Sequence, residues 1–104
     1  MKYKVKLTKS AETDILSSFE WGIRNWGVDA AKTWAIKLRR VIKQRLSQAP
    51  LSCPLAPDRD LSEPDVRHLL HGRYRVLFEI DGSTVRVLYL RGPYVETIPE
   101  GNQE

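Results

Sequence analysis

The sequence predicts an α+β domain in which a helical hairpin packs on one face of a small, mainly antiparallel β-sheet, in the order β-α-α-β-β-β. Three observations lead there. Apolar residues alternate every second position at the start of the chain and again between residues 66 and 91. Between these regions, two runs with apolar spacing of three to four are separated by Gly27. The dipeptide Asp81-Gly82 joins two strand-like runs, a strong hairpin signal. At 104 residues the chain fits one domain, which buries roughly two-thirds of its unfolded surface.

In Lys2 to Leu7, the alternation puts Tyr3, Val5 and Leu7 on one face and three lysines on the other, which makes a half-buried strand. With Thr8 or Ser10 as N-cap, the positions Ala11, Ile15, Phe19, Gly22/Ile23 and Trp26 mark a helix that Gly27 closes. Val28-Asp29 opens a second helix. Its stripe of Ala31, Trp34, Ala35, Leu38, Val41, Ile42, Arg45 and Leu46 runs to just before Pro50. A Gly-centred link folds the two helices back as an antiparallel pair, and the apolar surface they share needs a sheet to cover it.

Residues 50–64 hold four prolines among acidic residues and read as an extended connection. Three strands follow: Val66 to His71, Tyr74 to Asp81, and Thr84 to Arg91. In the middle one, Tyr74, Val76, Phe78 and Ile80 face the helices, while Arg75, Leu77 and Glu79 face away. The strand Val85 to Leu90 is apolar on both faces, so it belongs inside the sheet. The domain is expected to span residues 1–94, with residues 95–104 as a polar tail.

Composition narrows the function classes. With 41% apolar and 29% charged residues the chain is neither disordered nor fibrous. No apolar run approaches the ~20 residues that cross a bilayer, and the lysine-alternating start is no signal sequence, so a cytoplasmic location is expected. Cys53 is the single cysteine, which excludes an internal disulfide and a cysteine-rich zinc site. Its expected role is a half-buried loop thiol. The net charge of +4 suits an anionic partner. Between Arg67 and Arg91 there are five arginines and two histidines against two acids, whereas Asp58 to Asp65 carries four acids.

Two groups of side chains invite a functional reading. His68 and His71 stand beside Arg67 and Arg73, and an imidazole can give or take a proton near neutral pH. Strand alternation separates the two histidines, so only one can share a cleft with Arg75; His71 is preferred and His68 is assigned to packing. Of the three tryptophans, Trp26 and Trp34 fall on apolar stripes and are expected in the core. Trp21 lies off the stripe as a candidate partner contact.

The helix ending in Asn25-Trp26-Gly27, the alanine-rich helix before Pro50, and the strand Tyr74 to Gly82 followed by Val85 to Gly92 occur in an order and spacing that resemble the RelE/ParE superfamily. These are toxins of type II toxin–antitoxin pairs, including plasmid stabilisation proteins, and the likeness covers residues 3 to 94. It implies a cognate antitoxin as partner and either of two activities. RelE-like members cleave mRNA in the ribosomal A site, without a metal or cofactor; ParE-like members poison DNA gyrase without catalysis. For cleavage, the resemblance places Arg75 on the phosphate, gives His71 or Arg91 proton or charge roles, and stacks Tyr94 on a base. Arg67 and Arg73 would contact RNA. Metal-free cleavage of this kind needs a base, an acid and a cation for the phosphorane. The chain departs from RelE in lacking a lysine pair before Arg75 and in its acidic tail. mRNA cleavage is the first expectation and gyrase inhibition the alternative.

Overall fold

A computed structural model describes residues 2–57 and 65–92. The elements are β1 (Lys4–Leu7), α1 (Lys9–Trp26), α2 (Val28–Gln48), a 3₁₀ turn (Pro50–Ser52), β2 (Arg67–His71), β3 (Tyr74–Asp81) and β4 (Thr84–Arg91). The expected order is therefore found, with β1 starting two residues later than the alternation suggests and β2 one residue later.

Thr8 has extended backbone and its hydroxyl accepts the Ala11 N–H at 3.1 Å, which caps α1. Gly27, at φ 98° and ψ 162°, ends α1 and starts α2. Its N–H donates to the Ile23 carbonyl and its own carbonyl accepts the Ala31 N–H, both at 3.1 Å. One residue thus serves two helix ends, and this compresses the link of the hairpin.

The strand order is β1-β4-β3-β2, with β1 parallel to β4 and the other pairs antiparallel. β4 lies inside the sheet, as its two apolar faces require. Its register carries a bulge. Leu77 pairs with Tyr89 and Phe78 with Val87, so Leu88 has no cross-strand counterpart. The extra residue changes the phase of the strand: Val85 and Val87 before it and Leu90 after it all reach the helix-side core. Tyr89 is turned to the other face. Without the bulge, simple alternation would have placed Tyr89 in the core and Leu90 outside.

A bulge leaves backbone groups needing partners, and α1 supplies them. The Thr8 hydroxyl donates to the Leu88 carbonyl at 3.1 Å, and the Asp14 carboxylate accepts the Leu90 N–H at 3.1 Å. These two bonds anchor the first turns of α1 to β4 beyond the end of β1. Asp14→Ala leaves the part-buried Leu90 N–H unsatisfied, so a loss of about 1–3 kcal/mol is expected. Chemical denaturation measures it; an unchanged midpoint would mean that the bond contributes nothing.

The main core joins Ala11, Ile15, Leu38, Ile42 and Leu46 of the helices to Leu69, Tyr74, Val76, Phe78, Val85, Val87 and Leu90 of the sheet. Two expectations need correcting here. Trp26 is 43% exposed rather than buried, and Trp34 is only half-buried. Both stripes run to the Gly27 end of the hairpin, past the edge of the sheet that would have covered them. The face of the sheet away from the helices is also not fully open. The Ala56 N–H donates to the Val66 carbonyl at 2.9 Å, and these two residues pack with Leu77, Leu88 and Tyr89 as a second small core.

Candidate functional site

Cross-strand neighbours in an antiparallel pair share a face, so the register assigns the functional side chains. β2 and β3 are joined through Gly72 and Arg73, with His71 opposite Tyr74, Leu70 opposite Arg75 and His68 opposite Leu77. Gly72 has φ 61°, the left-handed conformation that such two-residue turns demand. Arg75 therefore lies on the face away from the helices, as the alternation predicts, together with His68. On the other side of Arg75 stands Arg91, its direct partner in β4.

The Arg75 Nη1 lies 3.4 Å from the His68 Nδ1. For the guanidinium to donate here, Nδ1 must be unprotonated, which leaves the imidazole proton on Nε2. The Arg91 guanidinium lies 5.3 Å from the centre of the Tyr89 ring, a cation–π contact. Two guanidinium groups, an imidazole and a phenol thus occupy one end of this face. The groups can bind a phosphate and exchange a proton. At the opposite end Arg86 pairs with Glu79 and, at 3.5 Å, with Asp81. The hydrogen bond to Glu79 and its charge raise the Arg86 pKa, so this cation is already matched by acids.

The remaining expected site residues lie elsewhere. His71 is on the helix side of the sheet, not beside Arg75, because the two-residue turn pairs it with Tyr74. Arg67 shares the helix-side face with Phe78 and donates to the Cys53 carbonyl at 2.6 Å, so it holds the connecting loop. Arg73 is exposed at the Gly72-Arg73 turn. Tyr94 lies outside the described residues. His68, assigned to packing from the sequence, is the histidine next to Arg75. The signal that would have found it is the Gly72-Arg73 turn: once 71 pairs with 74, 68 must fall on the face of 75 and 77.

Cys53 is buried, and that burial pushes its thiol above the ordinary value of 9.0 despite the nearby Arg45, the Ser52 hydrogen bond and Arg67. A thiol held in its neutral form is a packing group. Among the described residues no three His, Cys, Asp or Glu side chains are grouped to hold a metal ion, and no helix is long and apolar enough to cross a membrane.

A second surface lies on the outer side of the hairpin. A groove of about 470 Å³ runs between α1 and α2. Ile15, Leu16, Phe19 and Ile36 form its floor, and Lys9, Lys32 and the Arg39–Glu12 ion pair (2.8 Å) its rim. Leu16 and Ile36 are each 56% exposed.

No curated protein matches the chain. Several solved structures share its fold, two toxin–antitoxin systems among them. One is the chromosomal ParDE toxin–antitoxin system from P. aeruginosa, with a TM-score of 0.72, 18% identity, and coverage of 88% of this chain and 96% of that one. The other is the toxin–antitoxin complex RelBE2 from Mycobacterium tuberculosis, with a TM-score of 0.67, 21% identity, and coverage of 89% and 93%. These likenesses show a shared fold, which in this chain is a helical hairpin on a four-stranded sheet with β1 parallel to β4. The family model described as ParE toxin of type II toxin-antitoxin system, parDE, matches residues 5–92. The chain belongs to that family.

Proposed function

We propose that this toxin acts in the cytoplasm as ParE-like toxins do, by binding DNA gyrase through its surface and trapping it on broken DNA, with a cognate antitoxin as its restraint. The observation that carries the reading is the ParE family match, which runs from β1 to the end of β4. The separation of His71 from Arg75 by the sheet agrees with it, because the histidine first expected to move the proton in RNA cleavage is on the other face from the arginine expected on the phosphate. The groove between α1 and α2 suits an amphipathic antitoxin helix, with apolar side chains on Leu16 and Ile36 and acidic flanks toward Lys9, Lys32 and Arg39.

A specific geometry favours mRNA cleavage as the second reading: His68 and Arg91 flank Arg75 on one face. Arg75→Ala separates the two. Under the gyrase reading the variant stays toxic, and purified protein yields gyrase-linked DNA breaks at the wild-type level. Under the nuclease reading, loss of a charge-stabilising group lowers cleavage of ribosome-bound mRNA by roughly 10²–10³-fold. Ribosome-dependent mRNA cuts by the wild type, lost in Arg75→Ala and without gyrase-linked breaks, would overturn the gyrase reading.

A further inference from the structure

All three tryptophans of the chain meet at one place. Trp21 and Trp26 stand edge to face, with ring centroids 5.4 Å apart and planes at 82°. Trp26 and Trp34 do the same at 6.1 Å and 67°, and Trp34 leans on Tyr74 at 4.9 Å. With His71, Gly72 and Arg73 these rings line a pocket of about 360 Å³ at the Gly27 end of the hairpin.

The pocket is built rather than incidental. Gly22 sits inside α1, where glycine costs about 1 kcal/mol relative to alanine. A Cβ there would stand 2.9 Å from the Trp26 ring and 3.3 Å from Ala31. The glycine lets the indole lie flat on its own helix as one wall. The Gly72-Arg73 turn closes the other side and brings a cation and an imidazole to an otherwise aromatic cavity that, among the described residues, no acidic side chain lines. The Trp34 indole N–H has no acceptor among the described residues.

Size and charge decide what fits. A cavity of about 360 Å³ falls in the range of small-ligand pockets, ~300–1,000 Å³. Aromatic walls can stack a flat π-system, the Arg73 charge in the lining disfavours a cation, and the arginine and histidine favour an attached anion. We infer that this pocket binds a nucleotide, its base stacked among Trp21, Trp26 and Trp34 and its phosphate held by Arg73 and His71. The ligand is either a free nucleoside monophosphate or the phosphorylated end of a single strand. Neither rests on the gyrase reading, since the pocket lies on the helix side of the sheet, away from Arg75.

Because every tryptophan lines the pocket, intrinsic fluorescence reports its occupancy. Titration of the intact protein with AMP is expected to give saturable quenching, with adenosine and inorganic phosphate each binding more weakly than AMP. Stacking contributes about 1–3 kcal/mol per base, so Trp26→Ala should weaken AMP binding by about tenfold. Arg73→Ala, at an exposed turn position that leaves the core intact, should do so by a similar factor. Tighter binding of a 5′-phosphorylated single-stranded oligonucleotide than of AMP identifies the strand end as the ligand; equal or weaker binding identifies the free nucleotide. Absence of saturable quenching at millimolar AMP and oligonucleotide, or affinity unchanged in both variants, overturns the inference. So does a result in which the two substitutions disrupt only the binding of a protein partner.

Discussion

Phe78→Ala is expected to lower the free energy of unfolding by about 3–5 kcal/mol. Phe78 is the largest fully buried side chain among the described residues. It sits in β3 between Arg67 of β2 and Val87 of β4, directly beside the bulge. Truncation removes apolar contact and leaves a cavity that strands paired on both sides cannot close. A domain of this size has about 5–15 kcal/mol of stability, so the variant should unfold at much lower urea. Unfolding curves measure the change. A loss under about 1 kcal/mol would mean that the core closes around the gap, contrary to the packing described.

Gly27→Ala should cost about 1–3 kcal/mol for a different reason. An added Cβ would meet nothing within 4 Å, so no clash contributes. The penalty lies in the backbone: φ 98° with ψ 162° falls in a region that only glycine occupies readily. Thermal unfolding should therefore place Gly27→Ala below the wild type. An unchanged midpoint would contradict the assignment of strain to the shared helix end.

Much of the fold was legible because local signals agreed. Thr8, Gly27 and Pro50 punctuate the helices where the apolar spacing changes, and Asp81-Gly82 marks the last hairpin. The parallel pairing of β1 with β4 was not legible, since residues about eighty positions apart share no local pattern. The β4 bulge was also hidden: Leu88, Tyr89 and Leu90 are all apolar, and only the paired register shows which is the extra residue. That same dependence on register explains the candidate site. Arg75 could be assigned to the outer face from its own strand, and it is found there. The choice of His71 over His68 depended on a two-residue turn whose length is set by Gly72. The exposure of Trp26 was missed because periodicity describes a helix face but not how far the facing sheet extends along it.

The pairing of β1 with β4 also constrains how the chain can be made. Val5 meets Val85 and Leu7 meets Val87, so β1 leaves the ribosome well before the strand it pairs with. The helical hairpin can form much earlier, but its oily side then has nothing to rest on. During synthesis, therefore, an unfinished copy presents bare helices and a waiting N-terminal segment, and the complete sheet appears only when the final hairpin closes against both.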